Sequence, residues 1–149
     1  MKKKLLLLVA VIGMGAFMNV SGADEKEVCL ITGGVPNLEI ILPEKPLSVE
    51  SFAAKELNDH LKLICGHACD IVPQAMGTKL PVRLGRAAKV SIDDLKANSA
   101  RIRIAADGID IAGVDGSGDA LNLHTAGGTM FGVYDLLEYQ FGVHVYVLE

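Results

Sequence analysis

Four groupings of residues in this chain have the types that chemistry needs. Gly116-Ser-Gly118 follows an apolar run, as a phosphate-cradling loop would, but position 121 is Leu where the dinucleotide pattern needs a third glycine. No cofactor is therefore expected. Asp93 and Asp94 are paired carboxyls, yet neighbours in sequence point different ways. A glycosidase needs its two carboxyls held about 5–9 Å apart across a cleft. His60, His67, His124 and His144 could serve as bases, but no Gly-x-Ser-x-Gly elbow presents a serine to any of them. The fourth grouping is Asn122, His124 and Thr125, whose side chains could hydrogen-bond a sugar. Against that reading, the chain has no Trp, and sugar platforms rely on exposed aromatic faces.

The three cysteines are Cys29, Cys65 and Cys69. Cys65-Gly-His-Ala-Cys69 would close a small loop if oxidised, so a Cys65–Cys69 disulfide is one reading and free buried thiols another. With His67 the same residues invite a metal, but a structural zinc site calls for four ligands in tight pairs. No metal is expected.

These residues must be held by a scaffold that the periodicity describes well. Val28 to Ile31 and Leu38 to Leu42 read as short strands, the first broken at Gly33-Gly34 and the second ended by Pro43. Ser48 stands where an N-cap belongs, with Glu50 in the first turn. From Val49 to Ile64 the apolar residues Phe52, Leu57, Leu61 and Ile64 keep helical spacing until Gly66 ends the run. Asp70 to Val72 and Val82 to Leu84 read as strands, and Ser91 to Lys96 as a capped helical turn. Arg101 to Ala105 and Ile109 to Ala112 alternate strictly around Asp107-Gly108, which predicts a hairpin with a type I′ turn. Ile102, Ile104, Ile109 and Ile111 would face the helices, with Arg101, Arg103 and Asp110 outward.

Residues 113–128 form a long polar loop rich in glycine, of the length usually reserved for function. It leads into a second helix, where Met130, Val133, Leu137 and Phe141 form a stripe. Gly142 is placed to cap that helix in the left-handed region, and Val143 to Val147 alternate as a final strand. The order predicts an α/β (α+β) two-layer sandwich, a mixed β-sheet with two main helices packed on one face.

The amino terminus reads as a signal peptide over residues 1–23, with the fold in 24–149. Lys2, Lys3 and Lys4 precede a run of roughly a dozen apolar residues, and Ser21-Gly-Ala23 supplies the small residues that a signal peptidase reads. The run falls short of the ~20 residues that a membrane span needs. Export to the periplasm or beyond is the expectation, with no membrane association after cleavage. Taking those three lysines from 14 basic and 18 acidic side chains leaves a formal charge of −7 on the remainder. That acidic balance argues against nucleic acid as a partner.

One resemblance ties these elements together. Gly128-Thr-Met-Phe-Gly-Val-Tyr-Asp-Leu-Leu-Glu138 and Gly142-Val-His-Val-Tyr146 resemble the end of the amino-terminal, non-catalytic α/β domain of bacterial exo-glycosidases. The families are the α-glucuronidases and the β-N-acetylhexosaminidases, the latter in their second domain. Ala53-Ala-Lys-Glu-Leu-Asn-Asp-His-Leu61 with Cys65-Gly66, Leu84-Gly85 and Ile111-Ala-Gly113 are similar to earlier parts of the same domain. The usual Arg-Trp after Gly-Val is His144-Val145 here, and no proline follows Tyr146. The resemblance implies an accessory domain with no catalytic residue of its own, since the catalytic carboxylates of such enzymes lie in a following (β/α)-barrel. Phe131, Tyr134, His144 and Tyr146 would be its docking residues, and the barrel its partner. The alternatives are a small secreted module that binds carbohydrate through residues 113–128, and a truncated gene fragment.

Overall fold

The computed structural model describes residues 5–11, 14–20 and 28–143. Its centre is a five-stranded sheet. The strands are β6 (Leu38–Ile41), β7 (Asp70–Val72), β8 (Leu80–Leu84), β9 (Ala100–Ala105) and β10 (Gly108–Gly113), in the order β7-β6-β8-β10-β9. All neighbours are parallel except β9, which pairs antiparallel with β10 along the edge. Ahead of the sheet lie β1 (Leu5–Val11) and β2 (Met14–Val20), which form an antiparallel hairpin. Next come β3 (Val28–Cys29), parallel to β1, and the small hairpin of β4 (Ile31–Thr32) and β5 (Val35–Pro36). Gly33 and Gly34 form the turn of that last hairpin, at φ of 58° and 79°. A type I′ turn demands positive φ at both positions, so this glycine pair folds the strand back where the sequence read only a break.

Two helices cover one face, α1 (Ser48–Cys65) and α2 (Gly128–Phe141). The fold is the expected two-layer α/β sandwich. Val82, Leu84, Ile109 and Ile111 on the sheet meet Ala53, Leu57 and Leu61 of α1 and Val133 and Leu137 of α2, all essentially solvent-free. Burying side chains of this size stabilises the fold by about 1.5–3 kcal/mol each. Gly66 and Gly142 cap the helices at φ of 78° and 66°, as their positions predicted. Val143 continues the second cap, its N–H donating to the Leu137 carbonyl. The remainder of the predicted final strand, residues 144–147, lies outside the described residues.

Two local expectations are corrected. Ser48 is not the N-cap of α1: Leu47 is, and the Ser48 hydroxyl instead accepts from the Ala120 N–H, 3.0 Å away in the long loop. The β9–β10 turn is centred on Ala106-Asp107, neither with positive φ, so the type I′ geometry is absent. Residues 91–96 form a surface turn as expected, with Ser91 Oγ accepting from the Asp93 N–H and donating to the Asp93 carboxylate. The sheet's second face carries the alternate set, as expected, but Asp110 is buried there rather than solvated. Its carboxylate accepts from Arg83, Arg103 and the Lys89 N–H.

Candidate functional site

In a parallel sheet every strand's carboxyl end points the same way, and loops there converge. At that end of β8 and β10 lies a cleft of about 370 Å³, walled by Leu47, Ala88, Val90, Ile92 and Ala112 and floored by Glu50, Arg86 and Asp115. Both helices begin beside it. The path into it explains two glycines. Gly85, at φ 57°, ends β8 where a Cβ would lie 2.3 Å from Glu50 Oε1. Gly113 ends β10 against α2, and a Cβ there would lie 2.2 Å from the Gly128 carbonyl carbon. Gly128 itself has ordinary φ. It is glycine because a Cβ would lie 2.5 Å from Ser99 O and Val114 N, not because its backbone angles exclude other residues.

Glu50 is wholly buried and saturated with donors. Leu47 N at 2.7 Å and Arg86 Nη2 at 2.9 Å approach Oε2, and Arg86 N at 2.8 Å and Nε at 3.0 Å approach Oε1. Burial pushes its pKa up, but the Arg86 and Leu47 hydrogen bonds outweigh this and hold it below the ordinary value. Such a group has no proton to give. Asp115 runs the other way: burial, aided by the charge of Glu50, raises its pKa despite hydrogen bonds from Thr129 N at 2.8 Å and Oγ1 at 2.5 Å. The Thr129 hydroxyl in turn accepts from Gly113 N at 3.1 Å. Asp115 thus caps α2 from outside the helix. Of the two carboxyls in the cleft, only Asp115 is shifted toward its protonated form.

The second region is the long loop with the adjoining start of α2. Short turns order it: Asp119 Oδ1 accepts from Leu121 N, Asn122 Oδ1 from His124 N, and Gly116 N donates to Ala126 O. Ser48 pins its middle. Asn122 and His124 are exposed, but the Asn122 carbonyl oxygen is engaged within the loop. Thr125 is turned inward against Gly116 and Gly118. Beside these polar residues the loop also presents apolar side chains outward. Leu121 is 76% and Leu123 99% exposed, next to Met130 and Phe131, the latter 44% exposed.

The remaining predicted residues are scattered. Tyr134 is half-buried against α1, its hydroxyl donating to Glu56 Oε2 at 3.1 Å, and burial pushes its pKa up to about 12. It holds the two helices together. His144 and Tyr146 lie outside the described residues. Cys65 and Cys69 stand as separate thiols. Cys65 Sγ donates to Leu61 O, and the Cys69 thiol is buried, its pKa raised to about 11 chiefly by desolvation. Among the described residues no group of three or more acidic, His or Cys side chains could hold a metal ion. No described helix is long and apolar enough to cross a membrane.

Sequence reasoning missed the cleft. Its faint signals were Gly85-Arg86 directly after an apolar strand, and Asp115 two residues beyond the last one. Compared with models of known protein families and with curated proteins, the chain matches none.

Proposed function

We propose that this chain is an exported, non-catalytic accessory domain of the glycoside-hydrolase type, which packs against a catalytic (β/α)-barrel. The observation that carries the reading is the apolar face made by Leu121, Leu123 and Phe131. Two leucines held almost fully in water by an ordered, hydrogen-bonded loop are costly for a free domain and useful at an interface. Phe131 belongs to the segment whose residues resemble the glycosidase domain. Glu50, saturated with donors and held below its ordinary pKa, is unsuited to act as a catalytic acid. The leader-like residues 1–23 support export.

The carbohydrate-binding alternative loses ground at the loop, because the Asn122 carbonyl oxygen accepts from the His124 N–H of the loop itself. Incubating the purified chain with aryl-glycosides tests the non-catalytic claim: no turnover is expected, and appreciable turnover contradicts it. Leu121→Asp with Leu123→Asp tests docking. The double variant is expected to fold normally and to lose association with a glycosidase barrel; undiminished association refutes the assignment.

A further inference from the structure

We propose that the cleft at the carboxyl ends of β8 and β10 is a binding site for a small, uncharged polyhydroxylated molecule. The volume, about 370 Å³, lies within the range of small-molecule sites, and apolar walls with a few converging polar groups are the usual composition. The polar groups define the ligand. Arg86 is a rigid donor, its plane locked by both oxygens of Glu50 and by Lys45 O at 2.7 Å, while its side chain remains 55% exposed. Asp115 is a half-buried acceptor fixed by Thr129. A donor and an acceptor held in one cleft suit hydroxyl groups, which do both at once.

Charge selects the neutral form. The cleft holds two carboxylates and one guanidinium. Each carboxylate also accepts from a backbone N–H at a helix start, Leu47 N for Glu50 and Thr129 N for Asp115. A helix amino terminus carries roughly half a positive charge, so the two helices and Arg86 together balance the two acids. A charged ligand would enter a cleft that offers it no counter-charge, whereas an uncharged one meets no such penalty. The walls of Leu47, Val90 and Ile92 would cover its C–H face. The site shares no lining residue with the region of Leu121, Leu123 and Phe131 and stands independently of the docking proposal.

Calorimetric titration of the mature chain with glucose and with myo-inositol, beside glucuronate and glucosamine as charged counterparts, tests this. Saturable millimolar binding of a neutral probe is expected, with at least about tenfold weaker binding of the charged pair, equivalent to ~1.4 kcal/mol. Ala88→Trp fills the cleft and is expected to abolish binding while the thermal midpoint stays near wild type. Arg86→Met gives a second reading at unchanged volume and is expected to weaken binding at least about tenfold. Absence of binding by any neutral probe, preference for a charged one, or binding that survives in a folded Ala88→Trp protein overturns the proposal.

Discussion

Replacing Glu50 by Gln removes one charge from the buried centre of the cleft and leaves the side chain's shape intact. In the native protein the carboxylate receives Leu47 N, Arg86 N, Arg86 Nε and Arg86 Nη2. A glutamine can keep its carbonyl where Oε1 sits and retain the Arg86 N and Nε bonds. Its amide nitrogen then occupies the Oε2 position and faces two donors. The Leu47 N–H is left without an acceptor, which costs about 1–3 kcal/mol. Loss of the ion pair adds little, because the Arg86 side chain is 55% exposed and rehydrates. The sum is about 2 kcal/mol, or about 8 °C in the thermal midpoint of a domain this size. The pH dependence separates this account from a packing defect. The folded pKa of Glu50 lies below 4.5, so its stabilising contribution is intact above that value and is lost as pH falls through the folded pKa. Circular-dichroism melts should therefore show the full gap between wild type and Glu50→Gln at neutral pH, and a closing gap as pH falls below 4.5. A variant within ~0.5 kcal/mol of wild type at neutral pH, or a gap independent of pH, refutes the reasoning.

Other consequences are as direct. Gly113→Ala forces a Cβ to within 2.2 Å of Gly128 backbone and should destabilise by about 3 kcal/mol or more, read by urea unfolding; near-neutrality would disprove the close approach. Tyr134→Phe should cost about 1 kcal/mol through the lost bond to Glu56. In the native protein the Tyr134 phenol should ionise only near pH 12, visible as a late step in the ultraviolet titration, and its raised pKa makes stability fall as pH rises above the ordinary tyrosine value. Native-state alkylation with iodoacetamide should label Cys65 well before Cys69, whose thiol is buried with a pKa near 11, and all three cysteines should label once the unreduced chain is unfolded. A single label in the unfolded chain would show a disulfide instead.

What could be read in advance followed from periodicity, and what could not depended on contacts far apart in the chain. The stripe Leu57, Leu61 and the alternation of Ile102, Ile104, Ile109 and Ile111 are local, so α1, the β9–β10 pair and the layering were legible. The two C-capping glycines were legible for the same reason. Ser48 and Glu50 looked like ordinary first-turn residues, because nothing in their neighbourhood reveals that Ala120 and Arg86 lie against them. Gly128 could be marked as special by type, but only the packing shows that space, rather than φ, demands it. The loop misled in the opposite direction. Asn122 carries ligand-binding chemistry, yet its side-chain oxygen is spent on its own turn, and Leu121 and Leu123 on either side of it face solvent.

The central claim is that the Leu121, Leu123 and Phe131 face docks a catalytic barrel. Its most direct measurement is sedimentation velocity of the purified chain mixed with the (β/α)-barrel portion of an exo-glycosidase from which the amino-terminal α/β domain has been removed. The account predicts a one-to-one complex with the wild-type chain and free components with the folded Leu121→Asp/Leu123→Asp variant. Free components with the wild-type chain, or an equally stable complex with the variant, would contradict it.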